Sequence, residues 1–442
     1  MRVRFWGTRG SIAKPGPTTL RHGGNTSCVE VRSSDGTLVV LDCGTGAHAL
    51  GREIANASSP RGHLLIGHTH WDHIQGFPFF APFFTPGNHW SVYAPGGRGR
   101  QLEDTLAGQM AYEYSPIDLE SLRAQVEFHE LTEGMLELGG IRVRTQYLNH
   151  PALTLGYRLE CDGAALVYAT DHEPHTLHPE GAPPGAPLIH SEDRRHVRFL
   201  EGADLVIHDA QYTLADFPTR VGWGHTPVER AVDYAMLAGA KRLALFHHDP
   251  ERHDEAVDRV VAAAQARARD AGSPLEVFAG SEGSSIELSG PASLERPASR
   301  VARSALLSQT VARPDRVLIV DDDPDMVALL EVTLESEGVL VQSAGDAESA
   351  LRSVREARPS LMLLDLNLPG RDGLDVCRAL HEDPDPGLAE LPVLVLTGAR
   401  VKESDLIDVF LAGATDYLSK PIKPTLVRSR VRGWLLRAAA RA

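Results

Sequence analysis

The feature that most constrains this chain is the run His63-Leu-Leu-Ile-Gly-His-Thr-His-Trp-Asp-His73, where an apolar strand stops at Gly67 and His68, His70, Asp72 and His73 follow. Neutral imidazole and carboxylate are the ligands that Zn2+ and related divalent ions prefer. A loop leaving a strand can aim alternate residues inward, so His68 and His70 can share one ion while Asp72 and His73 serve a second. A pair of ions needs further ligands from elsewhere in the chain. Polar residues stand where other apolar runs stop: His150 after Tyr147-Leu-Asn, Asp171 after Val167-Tyr-Ala-Thr, and His247 after Leu245-Phe. A fold that uses them has to bring the ends of several distant strands to one place.

At 442 residues the chain is too long for one ordinary core, and two or three domains are expected. Hydrophobic residues at 42% and charged residues at 23% argue against wholesale disorder. Cys28, Cys43, Cys161 and Cys377 lie far apart, with no C-x-x-C spacing, which fits a reducing compartment. The first ten residues leave no apolar stretch for a signal peptide, and no run approaches the roughly 18 apolar residues of a membrane span. A cytoplasmic enzyme without a membrane partner is the expectation. A formal net charge of −15 disfavours broad nucleic-acid binding but leaves a small nucleotide ligand open. Outside the ligand candidates, His22, His48, His63, His89, His172, His175, His178, His190, His196 and His208 read as mostly surface or loop histidines. Arg9 and Arg21 read as solvated charges rather than phosphate contacts.

Residues 289–315 are rich in Ser, Ala, Arg and Pro without a sustained strand pattern, and read as a linker between a domain at 1–288 and another at 316–442. The first domain opens with strand-like runs, Val3 to Trp6, Ser27 to Arg32 and Thr37 to Leu41, and later mixes strands with helices. The clearest helix signal follows His225. Thr226 as N-cap, Pro227 at the first helical position and Glu229 three residues past the cap suggest a capping box, and Gly239 suits the stop. From Arg316 on, five short apolar runs alternate with amphipathic helices: Val317 to Val320, Val339 to Gln342, Leu361 to Leu364, Val393 to Leu396 and Tyr417-Leu418. Such alternation implies a parallel sheet with helices on both faces and a ligand site at the carboxyl ends of the strands. Asp321, Asp365, Thr397 and Lys420 fall at those ends.

The H-x-H-x-D-H run with His150, Asp171 and His247 resembles the metallo-β-lactamase superfamily over roughly residues 1 to 288. The resemblance implies an α/β chain beginning with an αββα sandwich that carries both metals at one edge. Phe5-Trp-Gly-Thr-Arg-Gly-Ser11, Gly23-Gly-Asn-Thr-Ser-Cys28 and Leu41-Asp-Cys-Gly-Thr-Gly46 look like the branch of cyclic-nucleotide phosphodiesterases and ribonuclease Z. Gly222-Trp-Gly-His-Thr226 is similar to that branch's Gly-His-Ser/Thr element. By this resemblance His68, His70 and His150 hold the first metal, Asp72, His73 and His247 the second, and Asp171 bridges them, with Asp42 as support. His248 beside His247 leaves the last ligand open between the two. His70 in place of the Glu of di-iron flavoproteins, and His73 in place of the Arg of many true β-lactamases, favour a two-metal hydrolase. Zn2+ is the expected ion, with Mn2+ or Fe as alternatives.

Two cations about 3.5–4 Å apart lower the pKa of a bridging water and clamp phosphoryl oxygens during in-line displacement. The expected activity is therefore hydrolysis of a small phosphodiester, a cyclic nucleotide or a related compound. Asp72 is the candidate to orient the nucleophile and His225 to protonate the leaving oxygen, although His225 also reads as a capping or packing residue. Hydrolysis of a thioester or lactam uses the same metals and stays open, as does a metal-binding signalling module without catalysis.

In the second domain, Val320-Asp-Asp-Asp323 and Leu363-Leu-Asp-Leu-Asn-Leu-Pro-Gly370 cluster acids that suit a hard cation such as Mg2+. Asp365 can attack a phosphoryl donor, Thr397 can bond the transferred group and Lys420 can pair with it. This arrangement resembles the response-regulator receiver, a doubly wound flavodoxin-like (βα)5 domain, over about residues 314 to 440. Asp321 and Asp322 are then the acidic pair, Asp365 the phosphoacceptor, Asn367 a carbonyl ligand to Mg2+ and Tyr417 the aromatic switch position. The implied partner is a sensor histidine kinase or another phosphodonor within a two-component relay. The Arg-rich last helix reads as a solvated face or as a surface for a homodimer.

Overall fold

The computed structural model describes residues 1–55, 61–96, 101–175, 188, 190–290, 305–306, 315–335, 337–370, 372–398 and 403–441. The chain divides into two compact units, the first ending at Leu307 and the second beginning at Ser308. His178 and most of the linker expected at 289–315 lie outside the described residues. Among the described residues, no helix is long and apolar enough to cross a membrane.

Among the described residues, the first unit holds fourteen strands: β1 (Arg2–Gly7), β2 (Cys28–Arg32), β3 (Leu38–Leu41), β4 (Arg61–Leu65), β5 (His89–Pro95), β6 (Gln125–Leu131), β7 (Gly134–Leu138), β8 (Ile141–Tyr147), β9 (Leu155–Cys161), β10 (Ala164–Ala169), β11 (Leu205–Asp209), β12 (Arg242–Phe246), β13 (Glu276–Ala279) and β14 (Ser285–Glu287). They form two seven-stranded sheets, ordered β14-β1-β2-β3-β4-β5-β6 and β13-β12-β11-β10-β9-β8-β7. Apolar runs such as Leu38–Leu41 and Ala164–Ala169 are buried at every residue, because each strand has the other sheet on one face and helices on the other. Phe5 meets Phe246 at 6.0 Å across the two inner faces, and the Tyr157 hydroxyl of one sheet donates to the Ile66 carbonyl beyond β4 of the other at 2.6 Å. Helices α1 (Ala47–Ala55), α2 (Trp71–Ile74) and α3 (Leu102–Gln109) belong to the first half of the unit. There Leu50, Ile54, Leu102 and Leu106 join Phe77, Phe80, Phe83 and Trp90 in one core. Helices α4 (Ser191–Leu200), α5 (Val228–Leu237) and α6 (Asp254–Asp270) cover the second sheet over a core that includes Phe199, Val232, Leu243 and Ala264. This is the αββα sandwich expected from the sequence.

The capping box expected at α5 is not made. Pro227 is the N-cap residue and no side chain caps the helix. The Thr226 hydroxyl donates instead to the buried His172 carbonyl, and the Glu229 carboxylate accepts the Leu214 amide at 2.9 Å. Partners brought in by the fold outcompete the local cap.

The second unit is a five-stranded parallel sheet of β15 (Arg316–Val320), β16 (Leu340–Ala344), β17 (Leu361–Asp365), β18 (Val393–Thr397) and β19 (Asp416–Ser419), ordered β16-β15-β17-β18-β19. Alternate residues of each central strand point to opposite faces, so Leu318, Val320, Met362 and Leu364 enter one apolar cluster while Val317, Ile319, Leu361 and Leu363 enter the other. Helices cover both faces, the doubly wound arrangement that the strand-helix alternation predicts.

Candidate metal centre

One edge of the sandwich collects the residues that follow the strands of both sheets. Asp42 follows β3, His68 to His73 follow β4, His150 follows β8, Asp171 follows β10, Asp209 ends β11 and His247 follows β12. Parallel strands whose apolar stretches end at the same level deliver their next polar residues to one place. Two sets of ligand atoms gather there, His68 with His70 and His150, and Asp72 with His73 and His247. Asp171 reaches both: its Oδ2 lies 3.1 Å from His73 Nε2 and 3.5 Å from His247 Nε2, and its Oδ1 3.9 Å from both His68 Nε2 and His150 Nε2. The Asp72 carboxylate sits 3.0 Å from His247 Nε2. His247 rather than His248 faces the site, since His248 Nε2 pairs with the Gly280 carbonyl at 3.0 Å.

The donor set fits divalent cations. Both ring nitrogens of His68 are buried without a hydrogen-bond partner, a costly state that a cation on one of them would relieve. Burial drives the His68 pKa well below the usual imidazole value, with neighbouring histidines adding to it, and holds His150 at about 3, so both rings are neutral. Burial alone would raise Asp171, but His247 and His73 outweigh it and keep the carboxylate ionised. Neutral imidazole and carboxylate are the forms that bind metal.

Behind these groups lies a shell that fixes their direction. Asp42 Oδ2 pairs with His73 Nδ1 at 2.7 Å and accepts from the Tyr168 hydroxyl at 2.6 Å, while Oδ1 takes the Gly67 amide at 2.6 Å. His150 Nδ1 bonds the Gly224 carbonyl at 2.9 Å, His247 Nδ1 bonds Gln211 Oε1 at 2.9 Å, and the Ser11 amide donates to Asp72 Oδ2 at 2.7 Å. Partners of this kind set the ring tautomer and raise ligand basicity. Asp42→Ala is expected to weaken metal affinity about 10- to 100-fold, measured by competition with a chromogenic chelator.

Asp42, Asp171 and His247 all have left-handed backbones, with φ of 60°, 62° and 56°. Non-glycine residues hold such conformations at a cost of order 1–3 kcal/mol each, which the surrounding structure must offset, and they cluster where side chains have to be aimed. Close backbone approach does the rest. A methyl group at Gly10 would collide with the His247 ring, and one at Gly224, where φ is 87°, would collide with His150. Gly10→Ala is expected to lower the metal content of the purified protein toward one ion per chain, read by elemental analysis, with the circular dichroism spectrum retained.

His225 lies beside this cluster. Its Nδ1 is 3.2 Å from Asp209 Oδ2 and 3.8 Å from Asp171 Oδ1. Burial would lower its pKa, but the Asp209 carboxylate reverses the effect and lifts it to about 9. Asp209 also takes the Thr226 amide at 2.8 Å and, with His225 and His247, forms a further group of potential ligands. Asp209 is not among the ligands expected from the sequence. The signal was present, since Asp209 ends the apolar run Leu205-Val-Ile just as Asp171 follows Val167-Tyr-Ala-Thr.

The second unit carries its own acidic pocket at the carboxyl ends of its strands. Asp321 and Asp365 are buried, and Lys420 Nζ sits 3.1 Å from Asp321 Oδ2 and 3.2 Å from Asp365 Oδ2. Asp365 Oδ1 and the Thr397 hydroxyl are buried without hydrogen-bond partners. Asp322 and Asn367 are exposed at the rim, and Tyr417, half-buried, lies 6.1 Å from Phe410.

Residues 37–248 match the family described as the beta-lactamase superfamily domain, and residues 317–432 the response regulator receiver domain. The chain joins a β-lactamase superfamily domain to a response regulator receiver domain. The receiver is 44% identical over 125 residues to the DNA-binding response regulator MtrA of Mycolicibacterium smegmatis, covering 28% of this chain and 51% of that protein. The chain thus spans about half the length of the curated relatives it matches. Among solved structures, the metallo-β-lactamase fold protein YhfI from Bacillus subtilis is 18% identical with a TM-score of 0.45, covering 65% of this chain and 99% of that one. Human tRNase Z, short form, is 20% identical with a TM-score of 0.43, covering 65% and 99%. The superfamily points to a metal-binding hydrolase.

Several histidines of the β-lactamase domain are not where the sequence suggested. His172, His175, His190, His196 and His208 are buried rather than at the surface. His172 stacks on His196 at 3.9 Å and His175 on His190 at 4.5 Å, while Asp193 Oδ1 accepts from the Tyr234 hydroxyl at 3.1 Å and pairs with His175 Nδ1 at 3.2 Å. These rings come from the segment after β10, from α4 and its N-cap, and from β11, and they pair with one another and with backbone groups. Arg9 is likewise buried rather than solvated. Its Nε donates to the Gly23 carbonyl at 2.8 Å and its Nη1 to the Asp249 and Arg252 carbonyls, so it ties loops together. Arg21 is exposed and pairs with Asp258 at 2.7 Å.

Proposed function

We propose that the β-lactamase domain is a dinuclear metal-dependent phosphodiesterase, acting on a cyclic nucleotide or related phosphodiester and regulated by phosphorylation of its receiver. The observation that carries this reading is the pairing of two ligand triads through Asp171 with a further histidine, His225, held beside them by Asp209. In this reading His68, His70 and His150 hold one ion, Asp72, His73 and His247 the other, and Asp171 bridges, with Zn2+, Mn2+ or Fe as the metal. Bound divalent ions supply Lewis-acid activation of water and neutralise charge on the phosphoryl oxygens.

The chain's own groups do the remaining work. Asp72 orients the attacking water through the oxygen that the Ser11 amide steadies. His225 carries a proton at neutral pH and delivers it to the departing oxygen. That requirement favours a phosphodiester over a thioester, since an alkoxide needs a proton in order to leave and a thiolate, with its far lower pKa, does not. The test is an assay of the metal-loaded full chain against cyclic nucleotides, dinucleotides, RNA, thioesters and lactams. Cleavage confined to the phosphodiesters supports the reading. Thioester or lactam cleavage alone contradicts it, as does full metal occupancy with no hydrolysis.

In the receiver, Asp321, Asp322, Asp365 and the Asn367 carbonyl are assigned to Mg2+, and Asp365 to the phosphoryl group of a sensor histidine kinase or another phosphodonor. The unpartnered Asp365 Oδ1 and Thr397 hydroxyl, beside Lys420, fit that assignment, with Tyr417 as the switch residue. Asp365→Asn is expected to abolish labelling by acetyl phosphate in a phosphate-affinity gel shift. Equal hydrolase activity of that variant and the phosphorylated wild type would contradict regulation through this residue.

A further inference from the structure

Trp223 is an exposed indole in a segment held unusually firmly. Half of its surface is open to solvent, yet the amides on either side, of Gly222 and Gly224, both donate to the Glu173 carboxylate at 2.7–3.0 Å. The Gly224 carbonyl is the same group that fixes His150 Nδ1. Gly222 and Gly224 have φ of 83° and 87°, so the tryptophan stands between two residues in backbone conformations that glycine alone adopts readily. Exposed apolar side chains on free loops lose little by moving, whereas this one is tethered directly to the ligand set.

Its surroundings define what it can bind. The Arg220 guanidinium lies over the indole at 4.7 Å and over Tyr212 at 5.6 Å, and Arg220 Nε is buried without a hydrogen-bond partner. The guanidinium therefore faces both rings. Tyr212 meets Trp223 edge-on at 6.3 Å and His225 edge-on at 5.7 Å, so the shelf runs continuously to the proton donor. A fixed aromatic face with a cation on one side, leading to a site for a phosphodiester, suits a flat heteroaromatic ring joined to a phosphate.

We infer that Trp223, backed by Arg220 and braced by Tyr212, is the stacking platform for the base of a nucleoside phosphodiester. This inference rests on the phosphodiesterase reading and narrows its substrate to compounds that carry a nucleobase. Stacking of a base on an aromatic ring is sequence-tolerant, so the platform favours nucleosides over simple alkyl esters without choosing strongly among bases.

The test compares two diesters with the same leaving group, thymidine 5′-(p-nitrophenyl phosphate) and methyl p-nitrophenyl phosphate, using metal-loaded full chain. Wild type is expected to favour the nucleoside ester in kcat/KM, and Trp223→Ala to reduce that preference by roughly 10-fold or more. Trp223→Phe, which keeps an aromatic face, is expected to retain most of it. Binding gives a second readout: thymidine 5′-monophosphate quenches tryptophan fluorescence in wild type and much less in Trp223→Phe. Cleavage of both esters with the preference unchanged in Trp223→Ala overturns the platform and leaves the phosphodiesterase reading standing. Cleavage of neither ester by wild type removes both.

Discussion

Asp171→Asn is expected to reduce phosphodiester hydrolysis by about 1,000-fold or more and to lower the bound metal from two ions per chain. The carboxylate lies within 4 Å of ring nitrogens in both triads, 3.1 Å from His73 and 3.9 Å from His68. Amidation removes its charge while keeping its shape. Metal ions contribute several kcal/mol of transition-state stabilisation, and about 4 kcal/mol corresponds to a factor of about 1,000. Elemental analysis and steady-state rates on the same preparation separate the two effects. Full metal content with near-wild-type turnover would show that Asp171 does not bridge.

His225→Ala is expected to lower kcat by about 100- to 10,000-fold for substrates with an alkoxide leaving group, the range typical of a positioned general acid. For p-nitrophenyl esters, whose leaving group departs without a proton, the loss should be less than about 10-fold. His225 is held at Nδ1 by Asp209, which in turn takes the Thr226 amide, so Asp209→Asn should reproduce part of the same leaving-group dependence. Metal content should stay near two ions per chain in the alanine variant. Equal losses for both classes of ester would remove His225 as the proton donor.

Much of this site was readable because its residues obey a local rule. Where an apolar run such as Val167-Tyr-Ala ends, polar residues within the next two or three positions emerge at the sheet edge, and His68, His150, Asp171 and His247 all fall there. The receiver was readable for the same reason, its Asp321, Asp365, Thr397 and Lys420 standing at successive strand ends. What failed needed knowledge of packing. Thr226 and Glu229 have the spacing of a capping box, but a buried carbonyl and a loop amide take their side chains. His172, His175, His190 and His196 carry no pattern in the sequence that marks burial, and partners from distant segments, such as Asp193 for His175 and the Asn149 amide for His172, give these polar rings an interior. Arg9 became a buried tie because carbonyls from Gly23, Asp249 and Arg252 converge on it, a meeting of segments more than 200 residues apart in sequence.

The most direct measurement is a titration of metal-free full chain with Zn2+ while phosphodiester hydrolysis is followed. Activity is predicted to rise with metal and to level off at two equivalents per chain. Saturation at one equivalent, or full occupancy of both positions without cleavage of any phosphodiester, would contradict the two-ion site.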